Sequence, residues 1–298
     1  MKFEKIVQKH GYDIVFSSFL KDVYYELVKY FKNEEIVFEA LFNTKIVSVE
    51  NVYDYMKDND LLEDYDTLVT NSDMKRSSGV CQSIPEIIYN PQTNTYNIVN
   101  VKRSVAVVNL DLSRTHSKAT LIHELCHLIK SYYNEYTIEG NILISHSGLI
   151  ESHYELSFDG TKVTKKLIKE IGVGLEEGLT SVDEEEITRS IVDSEYTASG
   201  YGVVNSVARN LLQIPDIRDI IINAQIYHDK SEIYDKLGIE DYIILEELAN
   251  KLYELNLEMF SQAFEPEKMT ETAERIKEIL RTEYAPLKSK MESNFKRS

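Results

Sequence analysis

The residues best placed to do chemistry are His123-Glu124-Leu125-Cys126-His127. A helix turns about 100° per residue, so positions four apart share a face. Two imidazoles on one face can grip a single Zn²⁺. Glu124 sits one step round, badly placed as a third ligand but within reach of a metal-bound water. It can act there as general base. An HExxH pattern arises by chance in about one or two per cent of chains of this composition, so context matters. Thr120, Leu121 and Ile122 precede the pattern and Leu128 and Ile129 follow it, which makes the helix core-lining. Cys126 points away from both histidines and reads as a buried, inert thiol. His116 precedes the helix proper and reads as a cap or surface residue.

A zinc site of this kind needs a third protein ligand and one position for water. The HExxHxxGxxH form fails, because Lys130 and Tyr133 stand where Gly and His are required. The segment Leu175-Glu176-Glu177-Gly178-Leu179-Thr180-Ser181 offers a glutamate on a second helix. Glu176 and Glu177 diverge by about 100°, so one of them at most faces the ion. Ser181 lies one turn beyond Glu177 and can orient a ligand by a hydrogen bond. The run Asp183-Glu184-Glu185-Glu186 reads as a solvated helix face.

With these two segments the chain resembles the gluzincin branch of zinc metallopeptidases. There, HExxH is followed by a second helix carrying Asn-Glu-x-x-Ser-Asp or Asn-Glu-Gly, whose Glu binds the metal. Glu176-Glu177-Gly178 aligns with that element, so the resemblance implies His123, His127 and Glu177 as ligands of Zn²⁺. Glu176 replaces the family's Asn, Ser181 stands where an Asp would orient a histidine, and the spacing between helices is longer than in thermolysin. The hairpin expected at 141–169 accounts for that length. The resemblance implies peptide-bond hydrolysis by a metal-activated water, with Glu124 as the base. It also implies an oxyanion donor, a Tyr or His beyond the third ligand. Tyr196, Tyr201 and His228 lie in that part of the chain, and Tyr201 and His228 are taken as the candidates. Zincins bind extended substrate along an edge strand. Val105–Leu110 suits that role or, equally, a buried central strand. An endopeptidase is expected, because no Gly-rich or acidic anchor for a substrate amine is present. The alternative is a non-catalytic protein that keeps a metal or a peptidase-derived cleft.

The surrounding elements must position these groups. Residues 1–75 form a helical region, with Ser17 and Ser18 as N-caps before Leu20, Val23, Tyr24, Leu27 and Tyr30 at helical spacing. EIIYN and TYNIV flank a Pro/Asn turn as two strands. The β-branched run SVAVVNLDL is a strand, and a short loop leads from it into the HExxH helix. Asp159-Gly160 marks a hairpin. From Tyr201 onward the pattern is helical, with stripes at Leu245, Leu248, Leu252 and Leu255 and at Met269, Ala273, Ile276 and Leu280. The expected fold is α+β and zincin-like. A small mixed sheet packs on the HExxH helix in a core at 76–200, and a helical lobe spans 201–298.

Composition limits the rest. The chain has 298 residues, a net charge of −17 and two cysteines. Its length allows one large domain or two modest ones. The acidity argues against nucleic acid and anionic lipid as partners, leaving a peptide or protein substrate. No signal-peptide pattern opens the sequence and no apolar run approaches a membrane span, so a cytoplasmic location is expected, with unconventional export as the other route.

Overall fold

The computed structural model describes residues 2–59, 78–198, 200–262 and 264–295. The part of the expected N-terminal helical region from 60 to 75 lies outside them. The chain divides into two compact units. The first takes in Met1–Ser147, Ser152–Lys169 and Asp183–Thr197, and the second Gly148–Glu151, Glu170–Val182 and Ala198–Ser298.

The first unit begins with helices α1 (Lys2–His10), α2 (Ile14–Phe31) and α3 (Glu34–Asn43). The cap of α2 is Asp13, whose carboxylate accepts the Phe16 N–H at 2.9 Å. The helix therefore starts earlier than Ser17 and Ser18 suggest. Leu20, Val23, Tyr24, Leu27 and Phe31 form its buried stripe, and Lys32 ends it at φ +53°. Asn33 caps α3 in the same way.

Strand β1 (Ile46–Val49) and helix α4 (Val52–Asp58) follow. Strands β2 (Gly79–Asn90) and β3 (Thr95–Val108) form a long hairpin turning at Asn94, φ +54°. TYNIV and SVAVV are thus one continuous strand. The sheet order is β1-β3-β2. β1 runs parallel to β3, Ile46 opposite Val105, and β2 runs antiparallel to it, Gly79 opposite Val107. The sheet is therefore mixed, and β3 is its central strand. Val105, Ala106 and Val107 are fully buried. That removes Val105–Leu110 as a substrate-pairing edge, because both its hydrogen-bonding sides are taken.

Helix α5 (Thr115–Lys130) packs on β2 and β3 and carries HExxH. Leu121, Ile122, Leu125, Leu128 and Ile129 are buried along it. A second sheet has the order β4 (Glu135–Glu139), β5 (Ile142–Ser147), β6 (Ile150–Phe158), β7 (Val163–Ile171). The turn between β6 and β7 is the expected Asp159-Gly160. Asp159 accepts the Thr161 and Lys162 N–H groups, and Gly160 takes φ +96°, a conformation that suits a residue without Cβ.

Helix α6 (Val173–Ile191) is unbroken; residues up to Val182 belong to the second unit and those from Asp183 to the first. The second unit is otherwise helical: α7 (Gly202–Leu211), α8 (Ile217–Tyr227), α9 (Ser231–Leu237), α10 (Ile239–Ser261), α11 (Pro266–Ile279), a π-turn at Leu280–Tyr284, and α12 (Ala285–Phe295). Leu245, Leu248, Leu252 and Leu255 of α10 lie in its core with Ile276 and Ile279 of α11, and the two helices pack on each other; of the expected α11 stripe only Ile276 is buried, Met269, Ala273 and Leu280 being half-buried. Among the described residues, no helix is long and apolar enough to cross a membrane.

Candidate metal centre

From Leu121 to Lys130 of α5, the two histidines alone are not buried. His123 and His127 are half-buried, and every residue between them is buried. Their rings meet edge to face, and the two Nε2 atoms are 3.1 Å apart. Two nitrogens bound tetrahedrally at about 2.0–2.1 Å stand about 3.3 Å apart, so the pair is spaced for one ion. Glu177 of α6 completes a group of three whose ligand atoms all lie within 4.8 Å of one another. Two imidazoles and a carboxylate are the donor set of a catalytic zinc site, so the residues present fit that metal. Glu124 is buried one step round the helix. The first residue of β2 presses on it: a Cβ at Gly79 would fall 2.8 Å from Glu124 Oε1. Only glycine permits that approach.

A carboxylate stands behind His123. Its Nδ1 lies 2.9 Å from Glu184 Oε2. A carboxylate accepts and cannot donate, so Nδ1 carries a proton, and in the neutral ring Nε2 is left to accept. The Tyr196 hydroxyl donates to the other oxygen, Oε1 of Glu184. Burial, and then the charge of Glu184, push the Tyr196 hydroxyl well above the usual tyrosine range, which keeps it a donor. Next to this array, Asp183 accepts from Lys130 Nζ at 2.5 Å and from the Tyr30 hydroxyl at 2.5 Å. Glu185 pairs with Arg189 at 2.8 Å.

The run 183–186 is therefore not a solvated face. Asp183, Glu184 and Glu185 are buried. The reason is partners, since each carboxylate exchanges water for a protein donor, two of them on α5. The carboxylate at His123 Nδ1 is Glu184. Helical spacing carried a signal for it. Glu184 is seven residues beyond Glu177, about two turns, and so shares its face.

The other nominated residues have defined places. Glu176, one residue before Glu177, is 1% exposed. It accepts from the Leu149 N–H and Gln225 Nε2, both at 2.9 Å, and from the Thr180 hydroxyl. Tyr201 precedes α7, with its ring 5.5 Å from that of Tyr253. His228 ends α8 at φ +56°, and its Nδ1 donates to the Gly148 carbonyl at 3.0 Å. Both cysteines are free thiols, and burial raises the pKa of each. His116 is exposed on the first turn of α5. No known protein family matches the chain, and no match emerges among curated proteins or solved structures.

Proposed function

We propose that the chain is a zinc-dependent peptidase of gluzincin type, built on a zincin-like arrangement of α5 against the mixed sheet. The supporting observation is the convergence of His123, His127 and Glu177 within 4.8 Å of one another, with Glu124 on the same helix as the two histidines. Bound there, zinc would lower the pKa of a water ligand towards about 7 and polarise the scissile carbonyl. Glu124 takes the proton released during attack and delivers it to the leaving amine. Its burial and the contact with Gly79 limit the positions its carboxylate can take.

The oxyanion donor is assigned to Tyr201 or His228. Tyr201 has the simpler chemistry, since a neutral phenol donates. With its Nδ1 proton on the Gly148 carbonyl, neutral His228 offers only an acceptor at Nε2 and donates there only as imidazolium. Extended substrate is assigned to the outer side of β2, which among the described residues has a strand partner on one side only. An endopeptidase is proposed.

The test is metal content by mass spectrometry of protein purified without chelator, read beside turnover of a peptide library. About one zinc per wild-type chain, its loss in Glu177→Ala, and its retention in Glu124→Gln with a roughly 10²–10⁴-fold drop in turnover are expected. Zinc retained with no Glu124-dependent hydrolysis would favour a non-catalytic metal protein. No zinc after reconstitution would end the proposal.

A further inference from the structure

We infer that Glu184 and Tyr196 are a positioning pair that sets the tautomer of His123 and thereby the metal affinity of the site; this rests on the metal-site reading above. Neutral imidazole carries one proton. Glu184 holds that proton on Nδ1, on the far side of the ring from His127, so the Nε2 lone pair faces the ion position. A carboxylate on Nδ1–H also makes Nε2 the stronger ligand. Charge points the same way. Glu177 and Glu184 together balance a divalent cation, one as ligand and one through the imidazole.

Glu184 reaches His123 through a flexible side chain, and one hydrogen bond leaves its carboxylate free to rotate. Tyr196 removes that freedom by taking the second oxygen. Tyr196 lies beyond the end of α6, and the segment that returns it is itself fastened. Asp193 accepts the Glu195 N–H at 3.1 Å and, through its carbonyl, the Tyr196 N–H at 3.0 Å. Arg189 Nε donates to the Tyr196 carbonyl at 2.6 Å. The turn presents the hydroxyl to Glu184. The neighbouring array Tyr30–Asp183–Lys130 has the same hydroxyl-to-carboxylate chemistry with an ammonium in place of the imidazole, so it supplies a matched control.

Two measurements test the pair. Zinc affinity is read by competition with a chromophoric chelator for wild type, Glu184→Gln, Tyr196→Phe and Tyr30→Phe. The tautomer of His123 is read by ¹⁵N NMR on metal-free protein at pH 8. Affinity should fall about 10–100-fold in Glu184→Gln and about tenfold in Tyr196→Phe, and stay unchanged in Tyr30→Phe. Metal-free His123 should be the Nδ1–H form in wild type and a mixture in Glu184→Gln. Wild-type affinity in both Glu184→Gln and Tyr196→Phe, or an Nε2–H His123 in the wild type, overturns the pair. A wild type that takes no zinc defeats the metal reading instead, and the tautomer then decides the pair by itself. Should Glu184→Gln not fold, Tyr196→Phe and the wild-type spectrum carry the test.

Discussion

Asp183 and Glu184 are neighbours on one helix, and each receives a tyrosine hydroxyl and reaches a basic side chain of α5. Their targets, Lys130 and His123, stand two turns apart, about 10 Å along the helix. Lys130 is 1% exposed and has only donors, so it can hold no cation. His123 is half-buried and has a second nitrogen, which faces His127. The same hydrogen-bond chemistry thus serves two purposes. Where the last group has only donors, the array holds the helices together. Where it has another ligand atom, the array transmits orientation to a site.

The comparison breaks most sharply at Lys130. Lys130→Met leaves Asp183 as a buried charge without its cation, and should cost about 3–5 kcal/mol in urea unfolding. Zinc affinity of the fraction that folds should not change. A large loss of affinity at equal folding would show that the two arrays are not separable. Gly79→Ala probes a third way of touching the centre. A Cβ there meets Glu124 Oε1 and Thr120 Cγ2, each at 2.8 Å, so the Glu124 carboxylate must move while His123, His127 and Glu177 need not. Turnover should fall by up to about 10²-fold with zinc content intact, as a displacement near 1 Å can cost that much. Loss of zinc instead would place Gly79 with the ligands.

How much of this was legible depended on whether the cause was local. HExxH, the strand and loop before it, the Asp159-Gly160 hairpin and the stripe of α10 each rest on residues close in sequence. Their periodicity or turn chemistry was enough. The central position of β3 was not legible, because it is set by β1, some sixty residues away, pairing in parallel. The cap of α2 was misplaced because Ile14 and Val15, though helical, are exposed and do not extend the apolar stripe back to Asp13. The acidic run looked solvated because charge runs usually are. Its burial is decided by Lys130, His123 and Tyr30, all far away in the chain. Glu176 and Glu177 show both cases at once. Their divergence by about 100° was readable, but the neutral donors that take up Glu176 come from Leu149 and Gln225.

The finer tests ask whether the arrays are independent. Tyr196 acts on His123 only through Glu184, so the effects of Tyr196→Phe and Glu184→Gln on zinc affinity should not add. A coupling of about 0.5–3 kcal/mol is expected in that cycle. Tyr196→Phe combined with Tyr30→Phe should be additive, since one hydroxyl serves Glu184 and the other Asp183. The smallest effect belongs to Tyr30→Phe alone. It removes one donor from Asp183 and leaves Lys130 in place, so the carboxylate keeps its cation. A hydrogen bond to a charged group contributes about 1.5–3 kcal/mol, and the remaining ion pair should hold the loss near the lower end. Thermal unfolding would read it as a modest drop in Tm, with zinc titration unchanged. If Tyr30→Phe weakened zinc binding as much as Tyr196→Phe, the hydroxyls would be acting through packing common to α5 and α6. The separate role given to Glu184 would then fail with it.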